Sequence, residues 1–241
     1  MIVLFTDFGL RGPYVGQMKA VLLRAAPDVP LVDLMHDAPA FDAQSSAYLL
    51  AALVGAFPAA TVFLAVVDPG VGSAGRRPVM LRAGEHWFVG PDNGLFEIVA
   101  RRQAAPAEWH EILWRPAQLS ASFHGRDLFA PVAAALARGE MPDSVLLPQR
   151  PACDWPQDLA QVIYIDDFGN AMTGLRASQL PGDARLRVGG QTLSRARTFS
   201  DVPPGQGFWY ENAIGLAEIA VNQGHAARAL GLSLRQAVGV T

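Results

Sequence analysis

Side chains suited to acid–base chemistry stand at the ends of apolar segments in this 241-residue chain. Asp7 follows the apolar residues 2–5, Asp68 follows residues 61–67, and a glycine comes two positions after each acid. His124 precedes Gly125 in the segment FHGRD. A carboxylate can orient water, and an imidazole can take up a proton near neutral pH. Taken singly, the two acids could also be turn or helix-capping residues, and the histidine an ordinary hydrogen-bonded side chain.

Two arginines follow a glycine-rich loop. Residues 70–75 have the spacing GxGxxG and come after a strand-like segment. In dinucleotide-binding folds such glycines open a helix whose N-terminus receives pyrophosphate. Here Arg76, Arg77 and Pro78 lead into an extended segment instead. The loop therefore predicts a sharp turn near a ligand and no nucleotide cofactor, and an arginine close to a strand-end acid can hold that acid ionised.

The composition excludes several other kinds of chemistry. A single cysteine, Cys153, excludes an intramolecular disulfide and a CxxC zinc site, and the sequence has no GxxxxGK phosphate loop. A metal hydrolase is the remaining alternative, but its candidate ligands lack a spacing such as HExxH. These candidates are His36, Asp37, Asp68 and His124. We expect no metal and no cofactor.

Charge and hydropathy bear on partners and location. Nineteen basic and 22 acidic side chains give a net charge of −3, which argues against a nucleic-acid partner because that binding depends on clustered Lys and Arg. The N-terminal sequence MIVLFTDFG lacks the basic region of a secretory signal. The uncharged residues 47–67 contain Pro58 near the middle, so they predict a buried helix and a buried strand and no membrane span. We expect a cytoplasmic protein.

Alternating strand-like and helix-like segments predict an α/β fold with a mainly parallel sheet in the N-terminal part. The expected strands are residues 2–5, 31–35 and 61–67, with a hairpin at 78–82 and 85–89. The expected helices are residues 14–26, 45 to about 57, 95–102 and 128–138. Because ligands bind outside the carboxyl ends of strands in open α/β sheets, the polar residues after the first three strands point to one crevice.

Residues 138–156 carry four of the 18 prolines and show no clear periodicity. They predict the boundary between an N-terminal domain of residues 1–150 and a C-terminal domain of residues 157–241. Short strand-like segments separated by turn residues follow at 161–165, 184–188, 190–193, 208–210 and 218–222. The second domain is therefore expected to be mostly β, as a small barrel or sandwich.

Seven segments, in order, resemble one known family. They are TDFG, YVGQMKA, VDPGVG followed by RR, GPDNGLF, FHGRDLFAP, IDDFGN and EIAVNQGHAARALG, and they extend from about residue 3 to residue 230. Together they are similar to the S-adenosylmethionine (SAM) hydroxide adenosyltransferases, which are related to the SAM-dependent fluorinase and chlorinase. The resemblance implies an N-terminal α/β domain, a smaller C-terminal β-barrel domain, and a homotrimer with active sites between subunits.

The implied reaction is attack of water on C5′ of SAM, which gives adenosine and methionine. By resemblance, Asp68, Arg76 and His124 handle the water. Because arginine cannot act as a base, Arg76 is expected to hold the attacking oxygen while the other two orient the water and relay its proton. One residue more than expected separates Asp68 from the arginines, so Arg77 could take the place of Arg76.

The resemblance also implies a set of substrate-binding residues. These are Asp7, Phe8, Asp166, Phe168, Asn170, Trp209, Asn212 and Val221. Asp7 is expected to accept hydrogen bonds from the ribose hydroxyls, and Phe168 to lie beside the adenine. Asp166 is expected to meet the methionine ammonium, although Asp167 could be that acid instead.

Two alternatives remain open at this point. Halide could replace water as the nucleophile and give a 5′-halogenated adenosine. A halide site needs small, mainly neutral donors, so the set of acid, arginine and histidine favours water. The same fold could also act as a non-catalytic SAM or adenosine sensor, against which the expected catalytic residues are all present.

Overall fold

The computed structural model describes residues 1–103, 106–148, 150 and 153–241. The chain divides into two compact units, Met1–Cys153 and Asp154–Thr241, which we call the N-terminal and C-terminal units. Each unit has an apolar core of its own. The helices and strands of the two units position the side chains that were predicted from the sequence.

A seven-stranded sheet with the order β2-β1-β3-β5-β4-β6-β7 forms the centre of the N-terminal unit. The strands are β1 Ile2–Thr6, β2 Leu31–Met35, β3 Val62–Val66, β4 Pro78–Ala83, β5 His86–Pro91, β6 Glu108–Ile112 and β7 Ser144–Leu146. Strands β2, β1, β3 and β5 pair in parallel, whereas β4, β6 and β7 join by antiparallel pairing. The predicted α/β class with a mainly parallel sheet is confirmed, and β4–β5 is the predicted hairpin.

The described residues of this unit form four α-helices, namely α1 Tyr14–Ala25, α2 Ala43–Leu53, α3 Glu97–Arg102 and α4 Ala130–Ala137. Helix α1 buries Val15, Met18 and Leu22, a spacing that places them on one face. Helix α2 begins after Asp42, whose carboxylate accepts a hydrogen bond from the Ser45 amide at 3.0 Å. The uncharged residues 47–67 thus form most of α2 and all of β3. Among the described residues, no helix is long and apolar enough to cross a membrane.

Three features of this unit differ from the sequence prediction. Strands β6 and β7 lie in segments for which we expected no strand. In β6 only Trp109 and Ile112 are buried, so the alternation that marks a strand is weak there. The first two residues of the helix expected at 128–138 belong to a π-helical turn, Gly125–Phe129, and the α-helix itself covers only Ala130–Ala137.

The C-terminal unit consists of two antiparallel sheets with the orders β11-β10-β14 and β12-β13-β9-β8. Its elements are β8 Leu159–Ile165, β9 Ala171–Arg176, β10 Leu186–Val188, β11 Gln191–Leu193, β12 Gly207–Glu211, β13 Leu216–Val221, α5 Ala226–Ala229 and β14 Gly239–Val240. The expected β character is confirmed. A closed barrel is not found in residues 154–241, all of which are described. Single bridges, Gln161 with Ala237 and Arg195 with Trp209, join edges of the two sheets, but they do not form continuous ladders.

The carboxyl ends of β1, β3 and β5 lie side by side because these strands are parallel neighbours. A methyl group on Gly90 of β5 would lie 2.2 Å from the Ala65 carbonyl oxygen of β3, so only glycine allows the two strands to pack this closely. The loops after these strands carry Asp7, Asp68 and the sequence PDNG. The predicted crevice lies at this edge.

Candidate active site

A cavity of about 450 Å³ lies at the carboxyl ends of β1 and β3 in the N-terminal unit. Four of the predicted site residues line it, together with a set of mostly apolar side chains. The predicted residues are Asp7, Phe8, Asp68 and His124, and the others include Tyr14, Phe41, Val66, Val71, Phe123 and Phe129. Segments as far apart in sequence as residues 7 and 124 therefore meet at one cavity.

Asp68 and Arg76 form a charge pair beside this cavity. Arg76 Nε lies 3.0 Å from Asp68 Oδ1, and the carboxylate side chain is only 2% exposed. The amide of Gly70 donates to the same oxygen at 3.1 Å. Asp68 Oδ2 is buried and has no hydrogen-bond partner among the described residues. Arg76 thus contacts one oxygen of Asp68, and the other oxygen is without a donor in a residue that lines the cavity.

Arg77 points to a different acid. Its Nη2 donates to Asp92 Oδ2 at 2.7 Å, and Arg150 pairs with the other oxygen of Asp92. The Arg76 guanidinium instead donates to the main-chain oxygen of Asp92 at 3.2 Å. Of the two candidate arginines, Arg76 is therefore the one that contacts Asp68.

Asp7 occupies the same cavity under different electrostatic conditions. Its Oδ2 accepts a hydrogen bond from the Phe41 amide at 3.1 Å. Burial raises the pKa of Asp7, and the nearby charge of Asp68 raises it further, while the Phe41 amide opposes both effects. The cavity therefore holds two carboxylates close enough to repel each other, and among the described residues an arginine pairs with Asp68 but not with Asp7.

The loop that carries Asp7 is tied to β2 by a buried histidine. His36, 3% exposed, lies just after β2, and its Nδ1 is 2.8 Å from Thr6 Oγ1 while its Nε2 is 3.1 Å from Asp33 Oδ1. The Thr6 hydroxyl also accepts from the Phe8 amide at 3.3 Å, and the His36 carbonyl accepts from the Gly9 amide at 2.6 Å. His36 therefore fixes the loop through its contacts with Thr6 and Gly9, and it does not line the cavity.

His124 is positioned by an unusual piece of helix. It immediately precedes the π-helical turn Gly125–Phe129, a geometry that often occurs at functional sites. A methyl group on Gly125 would lie 3.2 Å from Met18 Sδ and 3.3 Å from Phe8 Cζ, so a side chain here would crowd the cavity wall. The rings of Phe8, Tyr14 and Phe123 pack edge to face in that wall, with centroids 5.3–6.1 Å apart.

No group of three or more His, Cys, Asp or Glu side chains suited to hold a metal ion occurs in the described part of the chain. His36 in particular is engaged by Thr6 and Asp33. The described residues therefore give no geometric support to the metal-hydrolase alternative.

A second cavity, of about 600 Å³, lies in the C-terminal unit. Four predicted residues line it: Asp166, Phe168, Asn170 and Val221. Asp166 accepts from the Asn170 amide at 2.8 Å and from Asn170 Nδ2 at 3.2 Å. These bonds fix the carboxylate within a tight turn whose Phe168 ring is 79% exposed. Asp167 does not line the cavity.

Glu218 adds a second acid to this cavity. Although it lies within the apolar strand β13, it accepts hydrogen bonds from the Tyr210 hydroxyl at 2.5 Å and from Asn212 Nδ2 at 2.7 Å. Burial raises the pKa of Glu218, the Tyr210 and Asn212 hydrogen bonds oppose this, and the charge of Asp166 adds to the rise. Burial and the Glu218 hydrogen bond likewise raise the pKa of Tyr210. Asn212, a predicted binding residue, thus contacts Glu218 and does not itself line the cavity.

Trp209 requires a correction. Its side chain is fully buried in the apolar core of the C-terminal unit, and its Nε1 donates to the Ala184 carbonyl at 3.0 Å. Successive residues of a strand point to opposite faces, so Tyr210 faces the cavity and Trp209 cannot. Trp209 is a core residue rather than a substrate contact.

Family models match both units. The SAM hydroxide adenosyltransferase N-terminal domain matches residues 2–146, and the C-terminal domain of the same family matches residues 160–239. The chain belongs to the SAM hydroxide adenosyltransferase family. Both cavities described above lie within the matched ranges.

Several known proteins are similar to this chain. The (R)-S-adenosyl-L-methionine hydrolase of Thermus thermophilus is 39% identical over 96% of this chain and 95% of its own. The crystal structure of an uncharacterised conserved protein from Thermotoga maritima has a TM-score of 0.87 at 32% identity, covering 100% of this chain and 99% of that one. A fluorinase from Nocardia brasiliensis is 26% identical over 58% of this chain and 54% of its own.

The second cavity contains two residues that were not predicted from the sequence as site residues. Glu218 and Tyr210 are directly opposite each other in the β12–β13 ladder, and both line the second cavity. A signal for Glu218 was available, since it is the one charged residue in the apolar run LAEIAV. A buried acid in such a strand needs hydrogen-bond donors on the neighbouring strand.

The raised pKa of Glu218 predicts how stability depends on pH. A carboxyl group whose pKa is higher in the folded state than in the unfolded state stabilises at low pH, and this contribution is lost as the pH rises through the folded-state pKa. Glu218→Gln should therefore gain stability relative to wild type as the pH rises from below the ordinary glutamate value of 4.5 to neutrality.

Thermal unfolding of both proteins across that range measures the difference. Glu140→Gln is the matched control, because Arg138 lowers the pKa of Glu140 by a hydrogen bond and the sign should reverse. A difference between Glu218→Gln and wild type that does not change with pH would contradict the assignment.

Proposed function

We infer that this protein is a SAM hydrolase in which water attacks C5′ of SAM. The new bond joins the water oxygen to C5′, and the electron pair of the broken C5′–S bond passes to sulfur. The products are adenosine, neutral methionine thioether and one proton. No metal or cofactor enters this proposal, since the sulfonium is already an activated leaving group.

The observation that carries the inference is the state of Asp68. Its carboxylate is almost fully buried, Arg76 neutralises it at 3.0 Å, and its Oδ2 has no hydrogen-bond partner among the described residues of a cavity that His124 also lines. Such an oxygen suits a water molecule that must be oriented and partly deprotonated before it attacks carbon. Membership of the hydroxide adenosyltransferase family indicates that the attacked carbon is C5′ of SAM.

We assign the roles as follows. Asp68 accepts a hydrogen bond from the attacking water, and His124, which lines the same cavity, receives its proton. Arg76 pairs with Asp68 and stabilises developing hydroxide character. Attack of a hydroxide-like oxygen on a sulfonium removes charge in the transition state, so a largely apolar cavity favours the step when fixed groups replace the lost solvation.

Further roles are proposed for the binding residues. Asp7 holds the ribose hydroxyls, with Phe8 in the adjoining wall. Asp166 meets the methionine ammonium, Phe168 lies beside the adenine, and Asn170 contributes an amide contact. The name of the Thermus thermophilus relative specifies the (R) configuration at sulfur, and we propose the same epimer as the substrate of this chain.

We further propose that the chain forms a homotrimer in which the first cavity of one subunit and the second cavity of the next form one active site. The support is the family resemblance, together with the division of the expected ribose-binding and ammonium-binding acids between the two cavities. The cytoplasmic location and the lack of a nucleic-acid partner remain predictions.

The product assay is the first test. Purified protein should convert (R)-SAM to adenosine and methionine, more slowly convert the (S) epimer, and be unaffected by chelator. Added chloride should give no 5′-chlorinated adenosine, because Asp7 and Asp68 would repel an anion in the cavity. Chromatography of the products decides the outcome. A halogenated product would favour the halogenase alternative, and tight binding without turnover would favour the sensor.

Matched arginine variants test the roles in the first cavity. Arg76→Ala and His124→Ala should each lower kcat by about 100-fold or more, the usual range for loss of a proton-transfer or charge-stabilising group. Arg77→Ala should keep kcat and lose some stability, because Arg77 pairs with Asp92 rather than Asp68. Steady-state kinetics and thermal unfolding of the three variants provide the comparison. Loss of kcat in Arg77→Ala but not in Arg76→Ala would transfer the role to Arg77.

Complementation tests the shared site. Asp68→Ala and Asp166→Ala should each be inactive alone. When the two chains are co-expressed, random mixing in a cyclic trimer with sites between neighbours leaves about a quarter of the sites with both halves intact. Activity of the purified mixture would then return to that level. A mixed trimer as inactive as its parents would place each site within one chain.

A further inference from the structure

We propose that Asn93 is a positioning residue for the hydrolysis, acting through Asp68. It belongs to the PDNG loop, which comprises Pro91, Asp92, Asn93 and Gly94. By its sequence alone this loop is an ordinary turn, and none of its residues lines the first cavity. The inference rests on the proposed function, because it assigns Asn93 to the alignment of the water that Asp68 holds.

Both ends of the Asn93 amide are engaged. Its Nδ2 donates to the Val67 carbonyl at 2.7 Å, and its Oδ1 accepts from the Leu95 amide at 3.2 Å. The acceptor and donor roles leave one orientation for the side chain. The hydrogen-bonded carbonyl belongs to the residue immediately before Asp68.

The hydrogen bond from Asn93 to Val67 fixes the main chain just beyond the end of strand β3. Strand β3 ends at Val66, so Val67 and Asp68 lie beyond its last residue. Val67 is fully buried, and its carbonyl is fixed by a side chain from the loop after the neighbouring strand β5. The direction of the peptide between Val67 and Asp68, and hence of the carboxylate, therefore depends on Asn93.

The same loop also holds the partner of Asp68. The Asp92 carbonyl accepts from Arg76 Nη1 at 3.2 Å, and the Asp92 amide donates to the Arg77 carbonyl at 2.9 Å. One loop therefore fixes both sides of the charge pair between Asp68 and Arg76. Displacement of a reacting group by even about 1 Å can cost about 100-fold in rate.

Asn93→Asp tests the proposal because it changes one atom of the side chain. The aspartate keeps an oxygen for the Leu95 amide but turns an acceptor toward the Val67 carbonyl. We expect kcat to fall by about 10- to 100-fold through misplacement of Asp68, with KM little changed. Asn93→Ser, whose hydroxyl is too short to reach Val67, should show the same split and serves if the aspartate variant fails to fold.

Thr61→Val is the matched control, because Thr61 immediately precedes the opposite end of β3. Thr61 is fully buried and donates to the Pro58 carbonyl at 2.6 Å, so its loss removes a comparable side-chain bond next to the same strand. This variant should lower the unfolding temperature and leave kcat unchanged. If Asn93→Asp lowered kcat only by loosening the fold, Thr61→Val would lower kcat to a similar extent.

A double variant separates positioning from structure. In the Asp68→Asn background, Asn93→Asp should cause little further loss of the residual kcat, because the group it positions is already altered. Wild-type kcat in both Asn93 variants, an equal loss in the Asp68→Asn background, or a change in KM alone would overturn the proposal. Wild-type protein that forms no adenosine would instead overturn the proposed function itself.

Discussion

The charge pair between Asp68 and Arg76 is the interaction on which the first cavity depends. An ionised carboxylate that is removed from water loses several kcal/mol of solvation unless a partner replaces it. Arg76 supplies that partner, and its own position requires a loop without a side chain at Gly70, where a methyl group would lie 2.6 Å from Arg76 Nη2. The guanidinium of Arg76 thus explains Gly70, the first glycine of the segment after β3, without a nucleotide. Asp7 has no such ion pair among the described residues, and burial, together with the charge of Asp68, raises its pKa.

The second cavity stabilises its acids in another way. Neutral donors hold Glu218 and Asp166, namely the Tyr210 hydroxyl and the amides of Asn212 and Asn170. No basic side chain is among the described residues that line this cavity. Its field is therefore negative, which suits the ammonium group proposed to lie at Asp166. In the proposed reaction, the first cavity would hold the nucleophile and the second the cationic end of the substrate.

The sequence predicted the strands that carry Asp7 and Asp68 better than it predicted which side chains contact each other around the two cavities. Apolar segments ending in Asp7 and Asp68 defined β1 and β3 because buried parallel strands have a strong local signal. The resemblance favoured Arg76 but left Arg77 open, because the choice depends on where the loop returns to Asp92. Trp209 was misassigned because the resemblance covered its segment without fixing which face of β12 it occupies. Glu218 and Asn93 were not assigned to the chemistry, because their roles depend on partners in other segments.

The π-helical turn after His124 has a consequence for sequence change. Such a turn accommodates one residue more than an α-helical turn over the same rise. Loss of a single residue from Gly125–Phe129 could restore a regular helix continuous with α4, yet it would rotate everything before it by about 100° about the helix axis. The imidazole would then face away from the first cavity while α4 kept its packing. Homologous chains that retain catalysis should therefore conserve the length of this segment more strictly than its composition.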